Sequence, residues 1–172
     1  MVANWQRIEP WIEAHGASEN GVLDRGLSEE EIAKYERILE VNFPDDFKEF
    51  HRQYRQDLCW RIGKWVLYSL EDIIWQTDCM AEIMIQNDFA DYELYWNPKW
   101  LVFAYEIKGK NLMALNLDAD TDLEAGECLF GQLNEAFKFE LEEGYIFAMG
   151  FGFGRWLEKW AIKLEKLKRD RT

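Results

Sequence analysis

Alternating acidic residues over 118–122 are the first pattern in this sequence with ligand-binding potential. Asp118, Asp120 and Asp122 place carboxylates at every second position, and calcium prefers oxygen ligands. An EF-hand loop beginning at Asp118 would need glycine at its sixth position and glutamate at its twelfth, where this chain has Leu123 and Leu129. The pattern therefore favours an aspartate-rich turn after a strand, and we predict no metal and no cofactor.

Cysteine and histidine are the other residue types with zinc-binding or nucleophilic potential. The chain has three cysteines and two histidines, scattered and without a CxxC pair, so the ligand spacing of a zinc site is missing. A hydrolase would use Cys59 with His51, or a pair among the 33 acidic residues. Because no triad or metal spacing selects such a set, we predict no catalytic residues and keep an enzyme only as an alternative.

A segment near the C-terminus resembles a glycine-rich phosphate-binding loop, because it contains Gly150, Gly152 and Gly154. The Lys-Ser/Thr pair of a Walker loop is absent, and the glycines alternate with Phe151 and Phe153. The segment is instead predicted to be a loop that packs closely on aromatic neighbours.

The net charge is strongly negative and unevenly distributed. The formal charge is −13, which disfavours nucleic acid and anionic membranes and favours a basic protein partner. The stretches Glu71–Glu93 and Asp118–Glu135 contain several acidic residues and no Lys or Arg. Either stretch alone is also typical of a solvated face. The tail after Gly154 is rich in Lys and Arg.

Helical periodicity and capping signals indicate the elements of the first half of the chain. Residues 3–15 and 29–40 have apolar side chains at helical spacing, and Ser28 with Glu31 forms a capping box before the second helix. Because of Pro10, the first helix either starts near Glu9 or is kinked at the proline. Pro44 breaks the pattern, after which Asp45 would cap a third helix through Gln56.

A β-hairpin between Trp100 and Asp118 is predicted to form the centre of a sheet, with a polar link around Gly109. Met113, Leu115 and Leu117 would face the core, and Leu112, Ala114 and Asn116 would face outward.

Further elements are predicted on both sides of the hairpin. A short strand covers 64–68, and one long helix or two shorter helices capped by Ser69 cover 70–87. A strand covers 127–133, the stretch 137–147 is either two short strands or a loop entering a helix, and Phe153–Leu167 is an aromatic C-terminal helix.

These elements predict an α+β fold. Its core is a mainly antiparallel central sheet of about four to six strands flanked by helices, with an N-terminal helical segment and a C-terminal helix. The 172 residues are most simply one domain, 1–172. The N-terminal stretch MVANWQRIEPW lacks a signal-peptide pattern and the apolar runs are too short to span a bilayer, so we expect a cytoplasmic protein.

Six segments, taken in order along nearly the whole chain, carry a family resemblance. They are Trp5–Ile8, Leu27–Ile32, Phe43–Phe50, Trp96–Phe103, Leu115–Asp118 and Phe153–Leu157. The third is similar to a Leu-Pro-x-Asp-[Phe/Tyr] helix start, and the fourth to a Trp-x-Pro-x-Trp-x-Pro strand, although Val102 stands where the second proline is expected. In this order the segments resemble the SUKH superfamily, the Smi/Knr-like domains.

The resemblance implies a non-enzymatic interaction domain. Many bacterial members are similar to immunity proteins that bind and block a cognate toxin, and fungal members regulate cell-wall synthesis. Together with the charge, this predicts an acidic immunity-type protein that neutralises a basic toxin such as a nuclease, with a regulatory scaffold in cell-wall synthesis as the alternative. Monomer and dimer both stay open. The predicted partner contacts are Asp88, Asp91, Glu93, Trp96, Asp118, Asp120 and Asp122.

Overall fold

Four helices and eight strands make up the described secondary structure, with six strands in one sheet and two in a small separate sheet. The structure, a computed structural model, describes residues 24–55, 60–86, 97–108, 111–120, 122, 124–132 and 146–169. Within them the order is β1 (Asp24–Arg25), α1 (Glu29–Leu39), α2 (Asp45–Gln53), β2 (Tyr54–Arg55), β3 (Trp60–Ile62), β4 (Trp65–Leu67), α3 (Leu70–Gln86), β5 (Trp100–Glu106), β6 (Asn111–Asn116), β7 (Glu127–Gln132), β8 (Ile146–Gly152) and α4 (Phe153–Arg169).

Six strands form an antiparallel sheet whose order follows the chain, β3-β4-β5-β6-β7-β8. The predicted hairpin is confirmed, because β5 and β6 pair with Leu101 opposite Leu115 and occupy the two central positions. The register shifts between Val102 and Ala104, so Phe103 forms a bulge there. The predicted α+β class with a mainly antiparallel sheet flanked by helices is therefore confirmed.

Both sides of β6 are buried, which corrects one expectation. Met113 and Leu115 lie in the main core and Leu117 packs against it, as predicted. The residues expected to face outward, Leu112, Ala114 and Asn116, are buried as well. Strand β6 is paired on both edges, and the row formed by Val102, Ala114 and Leu129 across three strands is also shielded from solvent. A strand covered on both faces loses the simple alternation of apolar and polar residues.

Helix α1 has the predicted capping box. The Glu31 N–H donates to Ser28 Oγ at 3.2 Å, and the Ser28 N–H donates to Glu31 Oε2 at 2.8 Å. The helix ends at Leu39 because Glu40 adopts a left-handed backbone, with φ of 53°. These local bonds satisfy amides that a helix start otherwise leaves free.

Helix α2 differs from its prediction at both ends. The N-cap residue is Pro44 rather than Asp45, and no side chain caps this end. The helix ends at Gln53 instead of Gln56, because Tyr54 adopts an extended backbone and pairs with Arg25 in the small sheet of β1 and β2. Strand pairing with a distant segment thus shortens the helix.

Helix α3 is one continuous helix, which settles the alternative left open over 70–87. Ser69 caps it as predicted, with its Oγ accepting the Asp72 N–H at 3.1 Å. The inner side chains Leu70 and Ile73 are buried in the core. The preceding strand prediction is confirmed by β4, which turns back from β3 at Gly63.

Helix α4 confirms the predicted C-terminal helix and covers the sheet with aromatic rings. The rings of Phe153 and Trp156 lie 5.2 and 5.1 Å from the ring of Phe103 on β5, both edge to face. Trp156 also contacts Trp65 on β4, with ring centroids 6.0 Å apart. Edge-to-face contacts of this kind add to the burial of large apolar area. Gly150 and Gly152, predicted in a loop, belong to β8.

Two further expectations concern the N-terminal helix and membrane-spanning segments. The helix predicted over residues 3–15 lies outside the described residues. Within the part of the chain that the structure describes, no helix has both the length and the apolar character needed to cross a bilayer.

Candidate functional site

A cleft of about 400 Å³ opens where the turn before α2, the β6–β7 connection, the end of β8 and the start of α4 meet. Its lining combines three acidic side chains, two basic ones, a phenylalanine and several glycines. The lining residues are Pro44, Asp46, Glu124, Ala125, Gly126, Glu127, Gly150, Phe151, Gly152, Arg155 and Lys159. We call this feature the α4 cleft.

Asp46 joins α2 to the first turn of α4. Its Oδ2 accepts the Gly154 N–H at 2.7 Å, so a carboxylate satisfies a free amide at the positive end of the helix. Gly152 permits this approach, since a Cβ there would lie 3.1 Å from Asp46 Oδ2 and 3.2 Å from the Gly126 carbonyl oxygen. The carboxylate therefore has a positional role in the lining of the cleft.

Glu127 ties β7 to the end of β8. Its Oε1 accepts the Gly150 N–H at 2.5 Å, and Gly150 has a left-handed backbone with φ of +68°. Glycine adopts this conformation without the steric cost that a side chain imposes. Two of the three acidic side chains in the cleft thus hold backbone amides in place.

The basic wall of the cleft comes from one face of α4. Arg155 and Lys159 are four residues apart and share a face of the helix. Lys159 Nζ lies 3.7 Å from the centroid of the half-buried Phe151 ring, and Arg155 forms an ion pair with Glu158. The cleft therefore combines carboxylates and cations in its lining, an arrangement suited to a polar polypeptide segment.

Asp118, a predicted partner contact, is engaged within the protein. Its Oδ2 accepts the Asn97 side-chain N–H at 2.7 Å, and Lys99 Nζ lies 3.2 Å from its Oδ1, which also accepts the Asp120 N–H. The hydrogen bond from Asn97, then that from the Asp120 amide, and then Lys99 lower the pKa of the Asp118 carboxyl. Asp118 thereby anchors the turn before β5 to the end of β6.

The residues that follow form an exposed acidic loop, which we define as Asp120, Asp122 and Glu124. All three are exposed, and Asn116 Nδ2 fixes the loop by donating to the Glu124 carbonyl oxygen at 3.3 Å. Glu124 also lines the α4 cleft, so the acidic loop borders the cleft. The structure thus brings together three of the predicted residues, Asp118, Asp120 and Asp122. The other four, Asp88, Asp91, Glu93 and Trp96, lie outside the described residues.

The histidine considered for catalysis, His51, is shielded from solvent. His51 is buried against the rings of Phe47 and Phe50, and burial lowers its pKa from 6.5 to about 3. Burial, followed by the charges of Asp46 and Glu127, raises the pKa of the Cys128 thiol well above its usual value. Cys59 falls outside the described residues. Among the residues the structure describes, no three His, Cys, Asp or Glu side chains converge as a metal site would require.

Sequence reasoning did not identify the basic wall of the cleft. The sequence indicates a basic tail that contains Arg155 and Lys159, and their spacing of four on a predicted helix places them on one face. Their presence in one cleft with Glu124 and Glu127 depends on contacts between distant segments.

Comparison with known proteins adds one finding. The model of the SMI1 / KNR4 family (SUKH-1) matches residues 26–159, which is more than half of the 172 residues. No curated protein matches the chain. The matched range includes every lining residue of the α4 cleft and the whole acidic loop.

Proposed function

This chain belongs to the SMI1 / KNR4 family (SUKH-1), and we propose from that membership that it is a non-enzymatic immunity-type protein. It binds a cognate basic toxin, such as a nuclease, in the cytoplasm and neutralises it. The single observation that carries the proposal is the exposed acidic loop beside a cleft of mixed charge in a chain of net charge −13.

The charge supports a basic partner for a physical reason. Toxins that act on nucleic acid bind phosphates with Lys and Arg, so their functional surfaces are positive. A negative inhibitor is attracted to such a surface during diffusion, which speeds association at low salt. An inhibitor that covers those basic residues also blocks the substrate.

The loop and the cleft have complementary tasks in this proposal. The carboxylates of Asp120, Asp122 and Glu124 face solvent and receive basic side chains of the toxin. Arg155 and Lys159 bind an acidic side chain or a carbonyl group of the same toxin segment. This second contact fixes the direction of the toxin segment and disfavours partners whose charges follow a different order along the chain. Asp88, Asp91, Glu93 and Trp96 remain predicted contacts of the same partner.

Binding of the toxin encoded beside this gene tests the proposal. The variant Asp120→Asn/Asp122→Asn/Glu124→Gln removes three exposed charges of the acidic loop. A control, Glu30→Gln/Glu40→Gln/Asp45→Asn, removes three exposed charges elsewhere and has the same net charge. By calorimetry we expect the loop variant to bind about a hundredfold more weakly, and the control to change affinity by about threefold or less.

The salt dependence of binding and the identity of the partner can each refute part of the proposal. Affinity for the toxin should fall steeply with ionic strength, and equal losses in the two variants would refute a specific loop contact. Failure to bind any neighbouring toxin at micromolar concentration would refute the immunity function. Family membership also supports the second candidate, a regulatory scaffold in cell-wall synthesis, which capture of a cell-wall enzyme by the same purified chain would favour.

A further inference from the structure

The outer face of α3 carries an exposed tryptophan among carboxylates. Glu71, Trp75, Asp78 and Glu82 follow each other at spacings of four, three and four, so they lie on one face of the helix. All four are exposed, and Trp75 is 62% exposed, the largest value among the exposed large apolar side chains of the described residues. We call these four residues the Trp75 face.

Packing among the residues that the structure describes does not explain the position of Trp75. The opposite side of α3 supplies the buried residues Leu70 and Ile73, so the helix is held without Trp75. Tryptophan is normally highly buried, and an exposed one removes its large apolar area from water only when a partner covers it.

The carboxylates of the Trp75 face also lack partners within the described residues. No ion pair of Glu71, Asp78 or Glu82 occurs in that part of the chain, and α3 contains no Lys, Arg or His. On α1, by contrast, Glu36 pairs with Lys48 at 2.7 Å and Glu29 with Arg52 at 2.5 Å. The negative charge of this face is therefore available to a cation from outside.

We propose that the Trp75 face binds an arginine-bearing segment of a basic protein partner. A guanidinium stacks on an exposed indole by a cation–π contact, for which Trp is the best of the aromatic side chains. Residues three and four positions away on a helix lie about 5–6 Å apart at Cβ, so Glu71 and Asp78 both flank the indole. The same guanidinium therefore reaches a carboxylate while it covers the ring.

Charge selects this occupant over the alternatives. A second copy that met this one through the same face would bring carboxylates against carboxylates, and an anionic lipid or nucleic acid would be repelled. Arginine is favoured over lysine because its planar group stacks and forms two hydrogen bonds at once. The inference rests on the proposed function only in taking the partner to be basic, and it concerns a surface distinct from the α4 cleft.

A peptide titration tests this surface without the natural partner. The probes are a blocked hexapeptide of arginine and glycine and its lysine counterpart, followed by the indole N–H signals in a ¹⁵N-labelled protein. Trp75→Phe identifies the Trp75 signal. We expect the arginine peptide to shift that signal and to bind about fivefold more tightly than the lysine peptide.

Matched variants make the test specific. Trp75→Ala should lower the affinity for the arginine peptide about tenfold. Ile38→Ala, which truncates another exposed apolar side chain, should leave that affinity unchanged. Both sites are exposed, so circular dichroism and melting should match those of the wild type. An unshifted Trp75 signal, equal affinity for the two peptides, or full affinity in Trp75→Ala overturns the proposal.

Binding experiments with the intact toxin distinguish this inference from the proposed function. A toxin that binds Trp75→Ala as well as wild type, yet fails to bind the acidic-loop variant, overturns the Trp75 face and supports the immunity function. An arginine peptide that binds at Trp75 when no neighbouring toxin binds supports the face and overturns that function. Self-association by sedimentation that disappears in Trp75→Ala assigns the face to a second copy and overturns the proposal.

Discussion

Mild acidification is expected to destabilise the protein through His51 before its carboxylates are protonated. His51 is 3% exposed, and its ring centroid lies 4.6 Å from that of Phe47 and 5.1 Å from that of Phe50. This apolar enclosure disfavours the charged imidazolium and lowers the pKa of His51 from 6.5 to about 3.

The sign and size of the effect follow from linkage. Folded His51 stays neutral above its pKa of about 3, whereas the unfolded chain binds a proton below 6.5. The contribution of His51 is therefore complete above pH 6.5 and is lost as the pH falls toward about 3. Between about pH 7 and pH 5 the free energy of unfolding should fall by about 2 kcal/mol.

Urea unfolding at a series of pH values measures this loss. In wild type the free energy of unfolding should fall over the window from about pH 6.5 to 5, and in His51→Phe it should stay nearly level there. Overpacking by the larger ring should lower the stability of the variant by about 1–3 kcal/mol independently of pH, so the slopes with pH and not the absolute values are compared. A hydrogen bond from Lys64 is the main cause that lowers the pKa of Glu106 from 4.5. The stability contribution of Glu106 is lost only as the pH falls through that lowered pKa, so it leaves the window from about pH 6.5 to 5 unaffected.

Two results would refute this reasoning. One is an equal free energy of unfolding at about pH 7 and pH 5 in wild type. The other is an imidazole of His51 that titrates near 6.5 in the folded protein by NMR. His15 is the second histidine of the sequence, and the signal missing from His51→Phe identifies the correct one.

Other substitutions test the packing described above, all by denaturant unfolding. Trp156→Ala should cost about 3–5 kcal/mol, and a cost below about 1 kcal/mol would contradict its place in the core. Gly26→Ala should cost about 3 kcal/mol or more, because the added Cβ would lie 1.7 Å from the carbonyl oxygen of Arg52. Gly150→Ala meets no atom within 4 Å and should cost only about 1 kcal/mol through its φ of +68°, so equal costs for the two glycines would show the clash is absent. Ser28→Ala should cost about 1 kcal/mol by removing the capping hydroxyl, and an unchanged stability would mean that the cap is dispensable.

Elements governed by nearby residues were predictable from the sequence. The capping box of Ser28 and Glu31, the cap at Ser69 and the helical spacing from Phe153 depend on residues at most four positions apart. The β5–β6 hairpin likewise joins strands across a short link. Such patterns carry their own physical cause, so no tertiary information was needed.

Features set by distant segments were not predictable in the same way. Helix α2 ends early because Tyr54 pairs with Arg25, and β6 is buried on both sides because other segments cover it. The exposure of Trp75 also depends on which side of α3 meets the core. Periodicity ranks the two faces of an element but does not state whether both are covered.

In the candidate site, too, nearby residues were predictable from the sequence and contacts with distant segments were not. The sequence predicted a turn rich in aspartate at Asp118, and the structure adds that Asn97 and Lys99 engage this carboxylate. A count of acidic residues cannot separate an engaged carboxylate from an exposed one such as Asp120. The distinction depends on a turn that lies about twenty residues earlier in the chain.

The hydrogen bond from Gly154 to Asp46 spans 108 residues of sequence. This contact closes a long loop, and the entropic cost of closure is offset only once other contacts have ordered the chain between the two residues. The α4 cleft should therefore be among the last features to appear during folding, after the local hairpins. A newly synthesised chain would pass through a stage with its strands paired and its cleft still unformed.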